Sequence, residues 1–141
     1  MAVEQSVYLD CAAERAFAAF TSPSDILSWW GDDQSYRTRE WDAELRNGGR
    51  WRARFETAAG QSFGASGEYL AVDRPKLLEW TWQADWENVP KRLRMEFESA
   101  GTGTQLRATS HTNYEPEMQA EDERGLAEIL GWLEQYCRSA K

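Results

Sequence analysis

Arg50-Trp51-Arg52-Ala53-Arg54-Phe55-Glu56, entered through Asn47-Gly48-Gly49, is the stretch that decides the fold. Trp51, Ala53 and Phe55 alternate with Arg50, Arg52, Arg54 and Glu56. This two-residue period gives a strand one apolar and one charged face. Asn and Gly tolerate positive φ, so the residues before it read as a tight turn. Upstream of that turn Trp41, Ala43 and Leu45 alternate with Asp42, Glu44 and Arg46, which predicts the partner strand of a hairpin.

Downstream the same period returns. Ala59-Gly60-Gln61 turns into a strand from Ser62 to Val72, where Gly64 and Gly67 predict a bulge or bend. Asp73-Arg74-Pro75-Lys76 turns again. Leu78, Trp80, Trp82 and Ala84 then share one face, as do Leu93, Met95 and Phe97 after the polar loop around Asn88-Val89-Pro90. Gly101-Thr102-Gly103 leads into Leu106, Ala108 and Ser110. At the start of the chain, Val3 to Leu9 alternates as a short strand. Ala12 to Phe20 reads as a helix with Phe17 and Phe20 on one face, and Ser22-Pro23-Ser24-Asp25 opens a second, carrying Ile26, Leu27, Trp29 and Trp30 and ending at Gly31. The last segment changes period: Leu126, Ile129, Leu130, Leu133 and Cys137 share a helical stripe, predicting a helix from Pro116 to Arg138 on the order of 30 Å long. Consecutive strands with short turns make an antiparallel sheet, and only the terminal helix is long enough to cover its apolar face. The fold class is therefore α+β: a curved antiparallel sheet of about six or seven strands around a long C-terminal helix, with two short helices after the first strand. A bent sheet and a straight rod do not meet everywhere, which leaves room for a cavity.

Composition narrows the function. The 141 residues are 41% hydrophobic and 28% charged, ordinary values for a globule. A net charge of −8 repels phosphate backbones and anionic lipid, so neither nucleic acid nor membrane is an expected partner. No basic, apolar leader opens the chain, which points to the cytoplasm. Cys11 and Cys137 are then expected as free thiols; a bridge between them, and whether they are neighbours, is left open. One His and no Cys-x-x-Cys leave no zinc set, and no P-loop, Gly-x-Ser-x-Gly or dinucleotide fingerprint is present, so neither metal nor cofactor is expected. The unusual quantity is eight Trp beside five Phe and five Tyr.

Several motifs together resemble the START-like (SRPBCC, helix-grip) superfamily, and within it the family named for the activator of the heat-shock-protein ATPase. They are Ser6-Val7-Tyr8-Leu9-Asp10 running into the Phe17/Phe20 helix, Trp29-Trp30-Gly31, Leu45-Arg46-Asn47-Gly48-Gly49-Arg50-Trp51, and Gly67-Glu68-Tyr69-Leu70-Ala71-Val72-Asp73-Arg74-Pro75. Leu78-Glu79-Trp80-Thr81-Trp82, Gly103-Thr104-Gln105-Leu106 and the terminal Leu130/Leu133/Tyr136 pattern complete the match. The resemblance covers nearly the whole chain and implies that residues 1–141 form one helix-grip domain with a cavity. Asn47 stands where the family usually has Pro. His111 comes one place after the family's strand-closing His, and a one-residue shift moves a side chain to the other face. Members range from ligand carriers to cyclases, self-sacrificing resistance proteins and co-chaperones, so the resemblance carries no single activity.

The expected function is binding of a small hydrophobic or aromatic molecule in a cavity between sheet and terminal helix, lined by Trp30, Trp51, Phe55, Phe63, Tyr69, Trp80, Trp82, Met95 and His111. The same rings can instead fill a core. Trp29 and Trp30 can gate the cavity, join a dimer contact or pack the short helices. His111 with Tyr114 can act as an acid–base pair at the cavity mouth or stand exposed at a strand end. Glu40, Asp42 and Glu44 share a strand face, read as solvent-facing, and the Arg50/Arg52/Arg54 stripe is expected to pair with acids across the sheet such as Glu96 or Glu98. Two alternatives stand beside ligand binding: a cyclase or hydrolase using the same cavity, for which no catalytic set is assigned, and a co-chaperone-like interaction module. A homodimer remains open as an assembly. A chaperone partner is not expected, because the related domain of that co-chaperone is attached to a further domain.

Overall fold

The computed structural model describes residues 2–111 and 116–139. Strand β1 (Ala2–Leu9) leads into helices α1 (Ala13–Thr21) and α2 (Pro23–Trp29). Six strands follow: β2 (Tyr36–Ala43), β3 (Arg50–Thr57), β4 (Ser62–Asp73), β5 (Leu77–Ala84), β6 (Lys91–Ala100) and β7 (Gly103–His111). Helix α3 (Pro116–Ser139) closes the chain. The seven strands form one open, curved, antiparallel sheet in the order β1-β7-β6-β5-β4-β3-β2. Each hairpin joins sequence neighbours, and only β1 reaches back, to pair with β7. Strand β2 stops at Ala43, so Leu45 lies in the connection, exposed.

Burial follows the two-residue period. Trp51, Ala53 and Phe55 are buried while Arg50, Arg52 and Arg54 are exposed. In β2 a bulge between Thr38 and Glu40 shifts the period, so that Thr38 and Trp41 both turn inward. Glu40, Asp42 and Glu44 face solvent. The β4 irregularity sits between Tyr69 and Ala71 on the β5 side, not at the glycines, which hold regular register with β3. Gly67 serves close approach instead. The Trp51 indole N–H crosses it to donate to the Thr81 carbonyl at 3.0 Å, and a Cβ at Gly67 would lie 1.9 Å from that carbonyl oxygen and 2.7 Å from the indole nitrogen. Gly31 is required for another reason: its φ of +125° ends α2 in a conformation other residues rarely adopt.

The arginine stripe pairs differently from the sequence expectation. Arg52 meets Asp42 at 3.5 Å and Arg54 meets Asp85 at 3.4 Å, while Glu96 binds Arg94 and Arg107. The sheet order decides this, because β4 and β5 stand between β3 and β6 and put Glu96 and Glu98 beyond reach.

Helix α3 buries Leu126, Leu130, Leu133 and Cys137 and makes its closest backbone approaches to β1, α1 and α2. Cys11 and Cys137 are free thiols in hydrogen-bonding contact; burial and that neighbour push the Cys137 thiol well above its ordinary range. Polar locks hold the helix near its end. Tyr136 Oη donates to Asp25, Arg15 donates to Tyr136 Oη at 2.9 Å and pairs with Asp25 at 3.0 Å, and the Trp132 indole donates to Asp32 at 3.2 Å. Burial opposes ionisation of Asp25, but the hydrogen bonds from Tyr136 and Arg15 outweigh it and hold the carboxyl below its ordinary value. A carboxyl depressed in the folded state contributes stability above its unfolded pKa of about 3.9 and loses it as pH falls through the folded value. Asp25→Asn is therefore expected to lower stability at pH 7 but much less at pH 3. Urea denaturation at the two pH values checks this, and an equal loss at both would show that Asp25 does not act through its charge.

Candidate functional site

The concave face of the sheet is lined by rings, and most of them pack on one another. Trp41 and Trp51 stack at 4.8 Å and 9°, and Trp51 lies 4.8 Å from Trp82. Just after α2, Trp30 roofs this row, stacked on Trp82 at 5.6 Å and 15° and on Trp29 at 5.2 Å. Trp29 is fixed in turn by its indole N–H, which donates to the Ala19 carbonyl at 2.7 Å. Trp80 and Tyr69, both fully buried, stack behind the row at 6.1 Å. Burial pushes the Tyr69 phenol up to about 12, partly opposed by the Trp41 indole.

Where the row ends, α3 stands off and leaves a cleft of about 300 Å³. One wall is Trp30, Trp82, Leu93 and Met95, the other is Leu126, Ile129 and Gly125 of α3, and Tyr36 and Trp86 bound it too. Tyr36 accepts a hydrogen bond from the Trp30 indole at 3.2 Å, and burial raises its phenol to about 12. Trp86 is 69% exposed and rests against Phe63 at 5.5 Å, so it forms an apolar lip. Polar groups also line the cleft. Lys91 Nζ pairs with Asp122 Oδ1 at 2.6 Å, and Ser110 is fully buried beneath. Larger depressions of about 670 and 700 Å³ lie elsewhere, lined mostly by charged and polar side chains such as Arg52, Glu68 and Gln83 in the first and Lys76, Glu98 and Arg107 in the second.

Of the residues expected from sequence, Trp30, Trp82 and Met95 line the cleft. Trp51, Phe55, Tyr69 and Trp80 do not; they are at most 2% exposed and belong to the packed core. Phe63 stacks on Phe55 at 5.0 Å and meets the cleft only through Tyr36 and Trp86. His111 shares its strand parity with exposed Gln105 and Arg107, whereas Ser110 takes the inward place. Tyr114 lies outside the described residues. Sequence reading did not find Tyr36, Trp86, Lys91, Ser110 or Asp122. Tyr36 and Trp86 sit at loop ends where no period operates. The Lys91–Asp122 pair joins elements distant in sequence and has no local signature. Among the described residues no three His, Cys, Asp or Glu side chains converge as metal ligands, and no helix is long and apolar enough to cross a membrane.

Residues 10–138 match the model of the family described as Activator of Hsp90 ATPase homolog 1-like protein. No curated protein matches the chain in sequence. Among solved structures, a protein from Nitrosomonas europaea superposes with a TM-score of 0.84 at 19% identity, over 100% of this chain and 96% of that one. A protein from Rhodobacter sphaeroides gives 0.85 at 18% identity, over 98% and 92% of the two chains. An AHSA1-like protein from Aeromonas hydrophila, solved in solution, gives 0.81 at 21% identity over 99% and 94%. At these identities the likeness is one of fold.

Proposed function

The chain belongs to the activator of Hsp90 ATPase homolog 1-like family, and from that premise we propose that it binds a small hydrophobic or aromatic molecule in the cleft between the sheet and α3. The observation that carries this reading is the cleft itself. Its volume of about 300 Å³ stands at the low end of the range for small-molecule sites. Its walls are two indoles and four aliphatic or thioether side chains from β5, β6, the C-cap of α2 and α3. A ligand with about two fused rings would stack on Trp30 and Trp82 and remove apolar surface from water on both sides, the usual source of affinity in such sites. Trp86 at the lip would lose exposure on binding. A reaction in the same cleft has weaker support, because His111 stands on the opposite face of β7.

The test is a titration of the full chain with N-phenyl-1-naphthylamine, a neutral dye that brightens in apolar surroundings. A saturable, one-to-one enhancement with a Kd in about the micromolar range is expected. A linear response without saturation, or none, would overturn the reading.

A further inference from the structure

The polar corner of the cleft bears on what kind of molecule enters it. Asp122 has a side chain only 6% exposed and spends one carboxylate oxygen on Lys91. Its other oxygen, Oδ2, is buried and, among the described residues, has no hydrogen-bond partner. Ser110 Oγ is in the same condition. Both residues line the cleft. A buried acceptor without a donor is rare in folded proteins, because it has surrendered water and gained nothing in exchange. The surrounding charge has the same sense. Among the described lining residues, Glu87, Glu121, Asp122 and Glu128 carry carboxylates and Lys91 alone carries an ammonium, which Asp122 already neutralises; Glu87 in turn accepts the Ala84 N–H.

We infer that the cleft selects aromatic molecules carrying a hydrogen-bond-donating head, with a protonated amine the best match, and rejects carboxylates. This rests on the ligand-binding reading of the cleft given above. The rings occupy the space between Trp30, Trp82 and the α3 wall. The head turns toward β7 and α3, donating to Asp122 Oδ2 and to the Ser110 hydroxyl oxygen. A carboxylate head would have nothing to donate to Asp122 and would lie among like charges, with Lys91 already engaged.

The experiment compares four probes of one skeleton at pH 7: 1-naphthylmethylamine, 1-naphthylmethanol, 1-methylnaphthalene and 1-naphthylacetate. Binding to the full chain is followed through the indole N–H resonances of Trp30 and Trp82. The amine is expected to bind at least about tenfold more tightly than methylnaphthalene, with the alcohol between them and the acetate weakest. Ser110→Ala and Asp122→Asn should each remove much of the amine's lead and leave methylnaphthalene within about twofold of its original affinity. Asp122→Asn strips Lys91 of its counter-charge, whereas Ser110→Ala removes only an unpaired hydroxyl, so the serine variant holds the test if the other fails to fold. Equal affinities, or a preference for the acetate, would overturn donor selection and leave the cleft as a binding site. Unmoved Trp30 and Trp82 resonances with all four probes would overturn both.

Discussion

Gly125→Phe is expected to weaken binding of N-phenyl-1-naphthylamine by at least about 30-fold, on the order of 2 kcal/mol, while leaving the protein folded. Gly125 sits on α3 facing the cleft, and a Cβ built there meets nothing within 4 Å. A larger side chain therefore enters the hollow without pushing on backbone. It would occupy the volume that the dye needs, and Trp82 and Ile129 would close on the new ring in place of the ligand's. Glycine is also the poorest helix former after proline, so Gly125→Ala should raise stability by up to about 1 kcal/mol and keep the dye. Gly131 supplies the control. It lies on the exposed side of α3, also with nothing within 4 Å of a built Cβ, and the same phenylalanine there should not touch binding. Dye titration and urea denaturation of the three variants read both effects. Unimpaired binding in Gly125→Phe would place the dye outside this cleft.

Trp80→Ala is expected to cost about 3–5 kcal/mol, a large part of the roughly 5–15 kcal/mol that holds most domains folded. Trp80 is fully buried, and its ring centroid lies within 5.3–6.5 Å of Trp51, Trp41, Tyr69, Trp82, Trp30 and Phe20. Those rings come from β2, β3, β4, β5, α1 and the C-terminal end of α2, so truncation opens a cavity that no single local shift can refill. Trp80→Phe should be far milder. The Trp80 indole N–H has no partner among the described residues, so phenylalanine gives up ring volume but no hydrogen bond. Trp51→Phe makes the contrast, since it leaves the partly buried Thr81 carbonyl without its indole donor. Urea midpoints, with near-ultraviolet circular dichroism to follow the packed rings, would rank the three. A loss below about 2 kcal/mol in Trp80→Ala would mean that the rings close over the gap, against the close packing of interiors.

The strand-helix-helix-strand order, the inward parity of Trp51, Trp80 and Met95, and the apolar stripe of α3 were legible because each is a local period. Alternation is visible within one strand, and Leu126, Leu130 and Leu133 recur within one helix. Turn chemistry was legible at Asn47-Gly48-Gly49 for the same reason. The β-bulge was expected at Gly64 or Gly67 and appears beside Leu70, because a missing side chain signals close approach as readily as a break in register. The arginine stripe showed its charge but not its partners, since partners depend on strand order.

Chain-local chemistry by itself determined the α+β architecture, the face each strand buries and the abundance of flat apolar surface beneath one long helix. Only the tertiary structure decided which indoles plug that surface and which border a hollow. Trp51 and Trp80 share inward parity with Trp82, yet only Trp82 lies where α3 leaves the sheet. The meeting of Lys91, Ser110 and Asp122 was decided at the same level. The physical reason is distance along the chain: the stand-off between a curved sheet and a straight helix is set by all the packing between them, and no short window of residues contains it.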